Sequence, residues 1–105
     1  MTIYIAGPMT GLPDWNYPAF FEAEAELREQ GFQVLNPASS GDPASFPERS
    51  WSDWIRLALG LLIQCDGVAL LDGWEASRGA SLEFHVATAL GMPCRTLDAW
   101  LRETS

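Results

Sequence analysis

The sequence of 105 residues has few positive charges, one histidine, two cysteines and no long apolar run. Six basic against 14 acidic residues leave a formal net charge of −8, so the average field repels polyanions. Nucleic acid and anionic membrane surfaces are therefore not the expected partners. A small anionic ligand stays compatible, because a helix N-terminus or a single arginine acts locally. His85 stands alone, and Cys65 and Cys94 form no C-x-x-C pair, so a metal site has no support. Both cysteines lie in apolar contexts, which reads as buried free thiols in a reducing compartment. No apolar stretch approaches the roughly 18 residues of a membrane span, and "TIYIAG" at the start lacks the basic region and cleavage site of a secretion signal. The expected location is cytoplasmic. Neither G-x-G-x-x-G nor a Walker A sequence is present, and no serine or cysteine nucleophile constellation can be drawn. The chain also carries no internal repeat and no linker.

What is present is an ordinary soluble composition, 48% hydrophobic, 11% aromatic and 19% charged, in a length that supports one domain over residues 1–105. "TIYIA" (2–6) has the β-branched and aromatic content of a buried parallel strand and runs into the Gly- and Pro-rich "GPMTGLPDWNYP". Phe20, Ala23 and Leu27 fall at helical spacing between Pro18 and Gln30, with Gly31 placed to end the helix. "FQVLNP" (32–37) reads as a second strand, and 38–49 has the composition of a long loop of the kind that often acts as a lid. Ser50 or Ser52 is suited to cap a helix in which Trp51, Ile55, Leu59 and Leu62 share a face; Trp51 and Trp54 read as packing residues. "GVALL" (67–71) is a third buried strand, "GASLEFHVATAL" a third helix and "CRTLD" a fourth strand before the terminal "AWLRET". Alternating strands and helices predict a doubly wound parallel α/β sheet, flavodoxin-like or Rossmann-like, of about four to five strands. Ligands of such sheets bind beyond the carboxyl ends of the strands. Segments 7–17, 36–50 and 72–78 leave those ends here, and the first and third become neighbours if the strand order is 2-1-3-4.

One stretch, "LLDGWEASRGASLEF" (70–84), concentrates the candidates. Glu83 shares a helical face with Gly79, Ala80, Ala87 and Leu90, mostly small residues that let a ligand approach the carboxylate. A place near the start of the helix favours the ionised form, and an ionised, positioned carboxylate is what covalent attack on an anomeric carbon requires. The same placement also suits a residue that only stabilises the helix. Asp72 follows the third strand, where ligand groups are expected, whereas Asp66 precedes it and reads as a turn residue. Ser77, Arg78 and the amides of Gly79 and Ala80 form an anion cradle at the helix start, or Ser77 is an ordinary N-cap. Trp74 can stack on a base or sugar or cover the sheet edge.

"IYIAGPMTGLPDWNYPAFFEAEAELREQGFQVLNPA" and "LIQCDGVALLDGWEASRGASLEFHVATALGMP" resemble the small, often phage- or prophage-encoded DUF4406 proteins. These are similar in turn to nucleoside 2-deoxyribosyltransferases and deoxynucleoside 5'-monophosphate N-glycosidases. The resemblance implies a flavodoxin-like sheet and a glutamate nucleophile at the end of an S-x-G-x-x-x-E pattern, here Ser77, Gly79 and Glu83. It implies that Tyr4, Ala6, Gly7, Pro8 and Met9 line a base and sugar pocket. A serine at position 77 favours a 5'-monophosphate, where the transferases usually carry aspartate, and Arg78 is the nearest cationic candidate for it. The enzymes place a proton-transfer aspartate on the second helix, and the matching position holds Ala58. Asp72 is the expected surrogate, ahead of Asp53.

The resemblance thus implies cleavage of the N-glycosidic bond of a deoxynucleoside or deoxynucleotide, with no metal or organic cofactor needed, by a homo-oligomer. A nucleotide-binding or sensing protein with impaired turnover is the alternative that Ala58 favours. A protein-interaction module built on Trp51, Trp74 and the long loop is the third.

Overall fold

The computed structural model describes residues 1–9, 11–39 and 51–103. Four strands, β1 (Thr2–Ala6), β2 (Gln33–Leu35), β3 (Gly67–Leu70) and β4 (Cys94–Thr96), alternate with helices α1 (Tyr17–Glu29), α2 (Trp51–Leu62), α3 (Arg78–Ala89) and α4 (Leu97–Glu103). All strand pairs are parallel, as the sequence pattern predicts, and the order is β2-β1-β3-β4, the one under which the segments leaving β1 and β3 are neighbours. The terminal segment that carried no assignment in the sequence is helical, and the expected lid at 38–49 lies outside the described residues beyond Ser39, as does the candidate cap Ser50. Ser52 sits inside α2 instead of capping it.

The alternation of β1 explains both layers. Ile3 and Ile5 point to one face, where they join Phe20, Ala23 and Leu27 of α1 and Trp100 of α4. Tyr4 and Ala6 point to the other, where they meet Ile55, Ala58 and Leu62 of α2 and Ala80 and Ala87 of α3. Side chains of a strand alternate by geometry, so a strand buried on both faces must be apolar throughout. Each fully buried Ile, Leu or Phe contributes roughly 1.5–3 kcal/mol.

Helix α4 closes the first layer. The indole Nε1–H of Trp100 donates to the Val68 carbonyl at 2.7 Å, and its ring meets Phe32 edge-on at 5.8 Å. At the amino edge of the sheet, Asp66 accepts a hydrogen bond from the Thr2 amide at 2.8 Å and returns its own amide to the Thr2 carbonyl. Asp66 is thus a turn residue at the edge opposite the carboxyl ends. Cys65 is buried and Cys94 half-buried, both as free thiols, so the expectation of burial holds fully only for Cys65.

Candidate active site

Because the strands are parallel, every connecting helix returns antiparallel to them, and each helix begins at the carboxyl edge of the sheet. The side chains that meet at that edge come from strand ends and from first helical turns. Tyr4 rises from β1; Phe20 lies in the first turn of α1; Trp54 and Ile55 open α2; Ser77, Gly79 and Ala80 open α3.

Gly7 and Gly73 bring the two neighbouring exits together. A side chain on Gly7 would stand 2.8 Å from Leu71 Cβ, so only glycine lets the chain leaving β1 pass over the chain leaving β3. The Leu71 amide donates to the Ala6 carbonyl at 2.8 Å and continues the ladder one step beyond the strands. Gly73 then turns the chain in the left-handed region, at φ +85°, into the short turn that precedes α3.

Helix α3 is capped by Ser77, whose Oγ accepts from the Ala80 amide at 3.2 Å. Ala80, Glu83 and Ala87 form its buried stripe. Glu83 is only 5% exposed, and its Oε2 accepts a short hydrogen bond from the hydroxyl of Tyr4, itself fully buried. Burial pushes the Glu83 carboxyl up to about 8, against the opposing pull of the Tyr4 hydroxyl, which favours the carboxylate. The Tyr4 phenol is driven well above its ordinary value, first by burial and then by the neighbouring Glu83 charge. The sequence expectation of a dipole-ionised glutamate is corrected here. Glu83 is the sixth residue of α3, past the turn over which the dipole acts strongly, and desolvation wins.

This pair lines a narrow cleft of about 40 Å³, together with Gly7, Met9, Phe20, Pro37, Trp54, Ile55, Ser77, Gly79 and Ala80. Met9, Ser77 and Gly79 also line a wider cleft of about 740 Å³, which extends outward over Pro8, Leu12, Asp72, Gly73, Ala76 and Arg78. The two share that wall, and Glu83 lines the narrow one.

Of the candidates read from the sequence, Tyr4, Gly7, Met9, Ser77, Gly79 and Ala80 therefore converge with Glu83, while Pro8, Arg78 and Asp72 line the outer cleft. Ala6 lies in the core beneath. Trp74 is turned away from the narrow cleft and packs against Phe84 at 4.7 Å between ring centres. Asp72 is exposed and also lines a cavity of about 340 Å³ on the α1 side, but not the cleft that holds Glu83. Ala58 is buried in the core, and Asp53 is exposed on the outer side of α2. Leu90, expected on the Glu83 face, is 58% exposed. Sequence reasoning missed Phe20, Pro37, Trp54 and Ile55. Their signal was positional: apolar residues in the first turn of a helix, or just past a strand, reach the carboxyl edge in a parallel α/β sheet.

The four-stranded parallel sheet with its helices has the fold of two solved 2-deoxyribosyltransferases. A 2-deoxyribosyltransferase from Bacillus psychrosaccharolyticus is similar in fold at TM-score 0.69 and 21% identity, over 90% of this chain and 69% of that one. A 2-deoxyribosyltransferase from Leishmania mexicana matches at TM-score 0.67 and 22% identity, over 90% of this chain and 62% of that one. The chain belongs to the DUF4406 family, a domain of unknown function whose model matches residues 1–96. No curated protein matches the sequence. Among the described residues, no helix is long and apolar enough to cross a membrane.

Proposed function

We propose that this protein cleaves the N-glycosidic bond of a deoxynucleoside or deoxynucleotide, with Glu83 as the nucleophile. The observation that carries the reading is the buried Glu83–Tyr4 pair at the blind end of a cleft that opens at the carboxyl edge of the sheet. A buried carboxyl with a shifted pKa and one directed hydrogen bond, in a cleft, has the marks of a chemical group. The similarity in fold to 2-deoxyribosyltransferases points the same way.

In the reaction, the Glu83 carboxylate forms a bond to C1' of the deoxyribose as the bond from C1' to the base nitrogen breaks. The base leaves with the electron pair and takes up a proton. Water, or a second base, then attacks C1' and releases Glu83. Positive charge developing on the sugar is matched by the carboxylate in a site with little water. The Tyr4 hydroxyl fixes one carboxyl oxygen and leaves the other for attack. Ser77 and Arg78 line the outer cleft; the resemblance gives position 77 a contact to a 5'-phosphate, and Arg78 is the nearest cationic candidate to share it.

A second reading is favoured by one observation. Among the described residues of the narrow cleft, Tyr4 and Glu83 are the only titratable groups, so no further carboxyl is placed to protonate the departing base. Such help is typically worth roughly 10²–10⁴ in rate, and without it the protein binds nucleotides with little turnover.

The test is to incubate the protein with the four deoxynucleosides and their 5'-monophosphates and to follow free base by chromatography, with Glu83→Ala as control. Base release that falls at least about 10³-fold in the variant supports the nucleophile role. A melting temperature that rises with substrate while no base appears supports the binding reading. Base release unaffected by Glu83→Ala would overturn the assignment of Glu83.

A further inference from the structure

We infer that Asn36 is a positioning residue of the narrow cleft: its side chain ties the chain leaving β2 to α1 and so holds Phe20 and Pro37 in the lining they share with Glu83. The inference rests on the proposed function for its catalytic consequence. β2 is an edge strand of three residues, paired with β1 alone, and its register ends at Leu35 opposite Tyr4. Asn36 comes next and is 5% exposed, as deeply buried as Glu83. Its amide nitrogen donates to the Phe20 carbonyl at 3.2 Å and to Glu24 Oε1 at 3.1 Å, and its Oδ1 accepts from the Ala38 amide at 2.9 Å. A buried amide needs such partners for its donors and its acceptor. Glu24 is fixed in turn. Its Oε2 accepts from Arg28 Nε at 2.8 Å, and Arg28 Nη2 donates to the Val34 carbonyl at 3.2 Å. The circuit runs from β2 through Asn36, Glu24 and Arg28 back to β2, and it staples the open edge of the sheet to α1. Pro37 has no N–H of its own to anchor it, so the bonds of Asn36 on one side and of Ala38 on the other keep it in place.

Phe20 and Pro37 line the cleft with Glu83 and Tyr4. Burial is what raises the Glu83 carboxyl, and it depends on every neighbour that keeps water away. Without the Asn36 tie, α1 and the chain beyond β2 part at the carboxyl edge and water reaches the carboxyl. Nearby charges offer no second route. Among the described residues, α1, α2 and the chain after β2 bring no titratable side chain to the narrow cleft; Tyr4 of β1 is there, Cys65 acts on Tyr4, and Asp72 and Arg78 line the outer cleft.

The experiment titrates the Glu83 carboxyl by NMR in the full chain carrying isotope-labelled glutamate, with Glu83→Gln to assign its signal. The titration is repeated in Asn36→Ala, Glu24→Ala and Glu24→Gln, beside melting temperatures and the pH profile of base release. From a native midpoint of about 8, Asn36→Ala should lower the value by at least about one pH unit as water enters. Glu24→Ala leaves the bond to the Phe20 carbonyl and should lower it less. Glu24→Gln removes the charge but keeps an acceptor for Asn36, so its midpoint should stay at the native value. An unmoved midpoint in folded Asn36→Ala overturns the inference whatever the melting temperature does, because a purely structural tie changes stability alone. A native midpoint in the ordinary carboxylate range overturns it as well. Should Asn36→Ala not fold, the Glu24 pair decides: equal midpoints in Glu24→Ala and Glu24→Gln overturn the inference. A base-release inflection that follows the NMR midpoint downward in Asn36→Ala supports both the inference and the proposed function. A midpoint that moves in a chain releasing no base from any deoxynucleotide sinks the proposed function and leaves the positioning role standing. Glu83-dependent base release with an unmoved midpoint does the reverse.

Discussion

The two faces of the sheet are built from the same strands and do different work. On the face covered by α1 and α4, Ile3, Ile5, Phe20, Leu27, Leu71 and Trp100 interlock, and Trp100 adds a buried hydrogen bond to the Val68 carbonyl. On the face covered by α2 and α3, Ile55 and Leu62 pack with Val68 and Leu70 beside Ala6, Ala58, Ala80 and Ala87, and the hydrogen-bonded Tyr4–Glu83 pair lies on the same face. Both layers hold a core of large apolar side chains, and among the described residues only the second also holds a buried carboxyl, at its carboxyl edge. The candidate chemistry thus belongs to one layer, a division natural to parallel sheets, whose helix starts and strand ends coincide at one edge.

That division can be broken from either side. Leu27→Ala in the first layer should cost about 2–5 kcal/mol and lower the melting temperature by well over 10 °C, while the pH profile of base release among molecules still folded stays where it was. A shifted profile would show that the layers are coupled. Tyr4→Phe in the second layer removes a hydrogen bond to a charged group and should lower kcat/KM for base release about 10-fold. The native profile should rise with pH and level off above about 8, since the nucleophile must be ionised and burial holds its proton until then. In Tyr4→Phe that inflection moves upward, because the hydroxyl that favoured the carboxylate is gone. An unmoved inflection would separate Tyr4 from the ionisation of Glu83.

The burial of Glu83 also has a consequence for stability. Glu83 is raised from 4.5 in the unfolded chain to about 8 in the folded one, so below 4.5 both states hold the proton and the group is neutral to folding. Between those values the unfolded state releases the proton first, and stability falls as pH rises. Glu83→Gln removes the ionisation. It should match the native melting temperature near pH 4 and exceed it by about 10 °C or more near pH 9, a gain of roughly a few kcal/mol, with activity lost. A native chain whose stability relative to Glu83→Gln does not change across that range would show that the carboxyl is not buried in solution as it is here.

Much of the site was legible because its residue types are local signals. "ASRGASLEF" carries its own N-cap in Ser77 and its own small-residue stripe, so Glu83 could be placed on a helical face without knowing what that face met. Tyr4 and Gly7 stood at the end of an unmistakable strand. The ionisation of Glu83 was not legible, since it depends on how completely α2, α3 and β1 exclude water. Trp54 was not legible either. Its helical spacing with Trp51 suggests a packing face, and only the seating of α2 on the sheet shows that its ring reaches the carboxyl edge.

The sequence alone determined the elements that depend on periodicity: a strand of alternating apolar residues, helices with buried stripes, turns with glycine and proline, and from their alternation a parallel sheet. The tertiary structure decided what depends on distance between parts remote in the chain. The meeting of Tyr4 with Glu83, the partition of Asp72 away from them and the entry of Trp54 into the cleft are set by helix seating. Hydrophobic periodicity specifies which side of a helix faces inward, but the electrostatic environment of a carboxyl is set by every neighbour that displaces water from it.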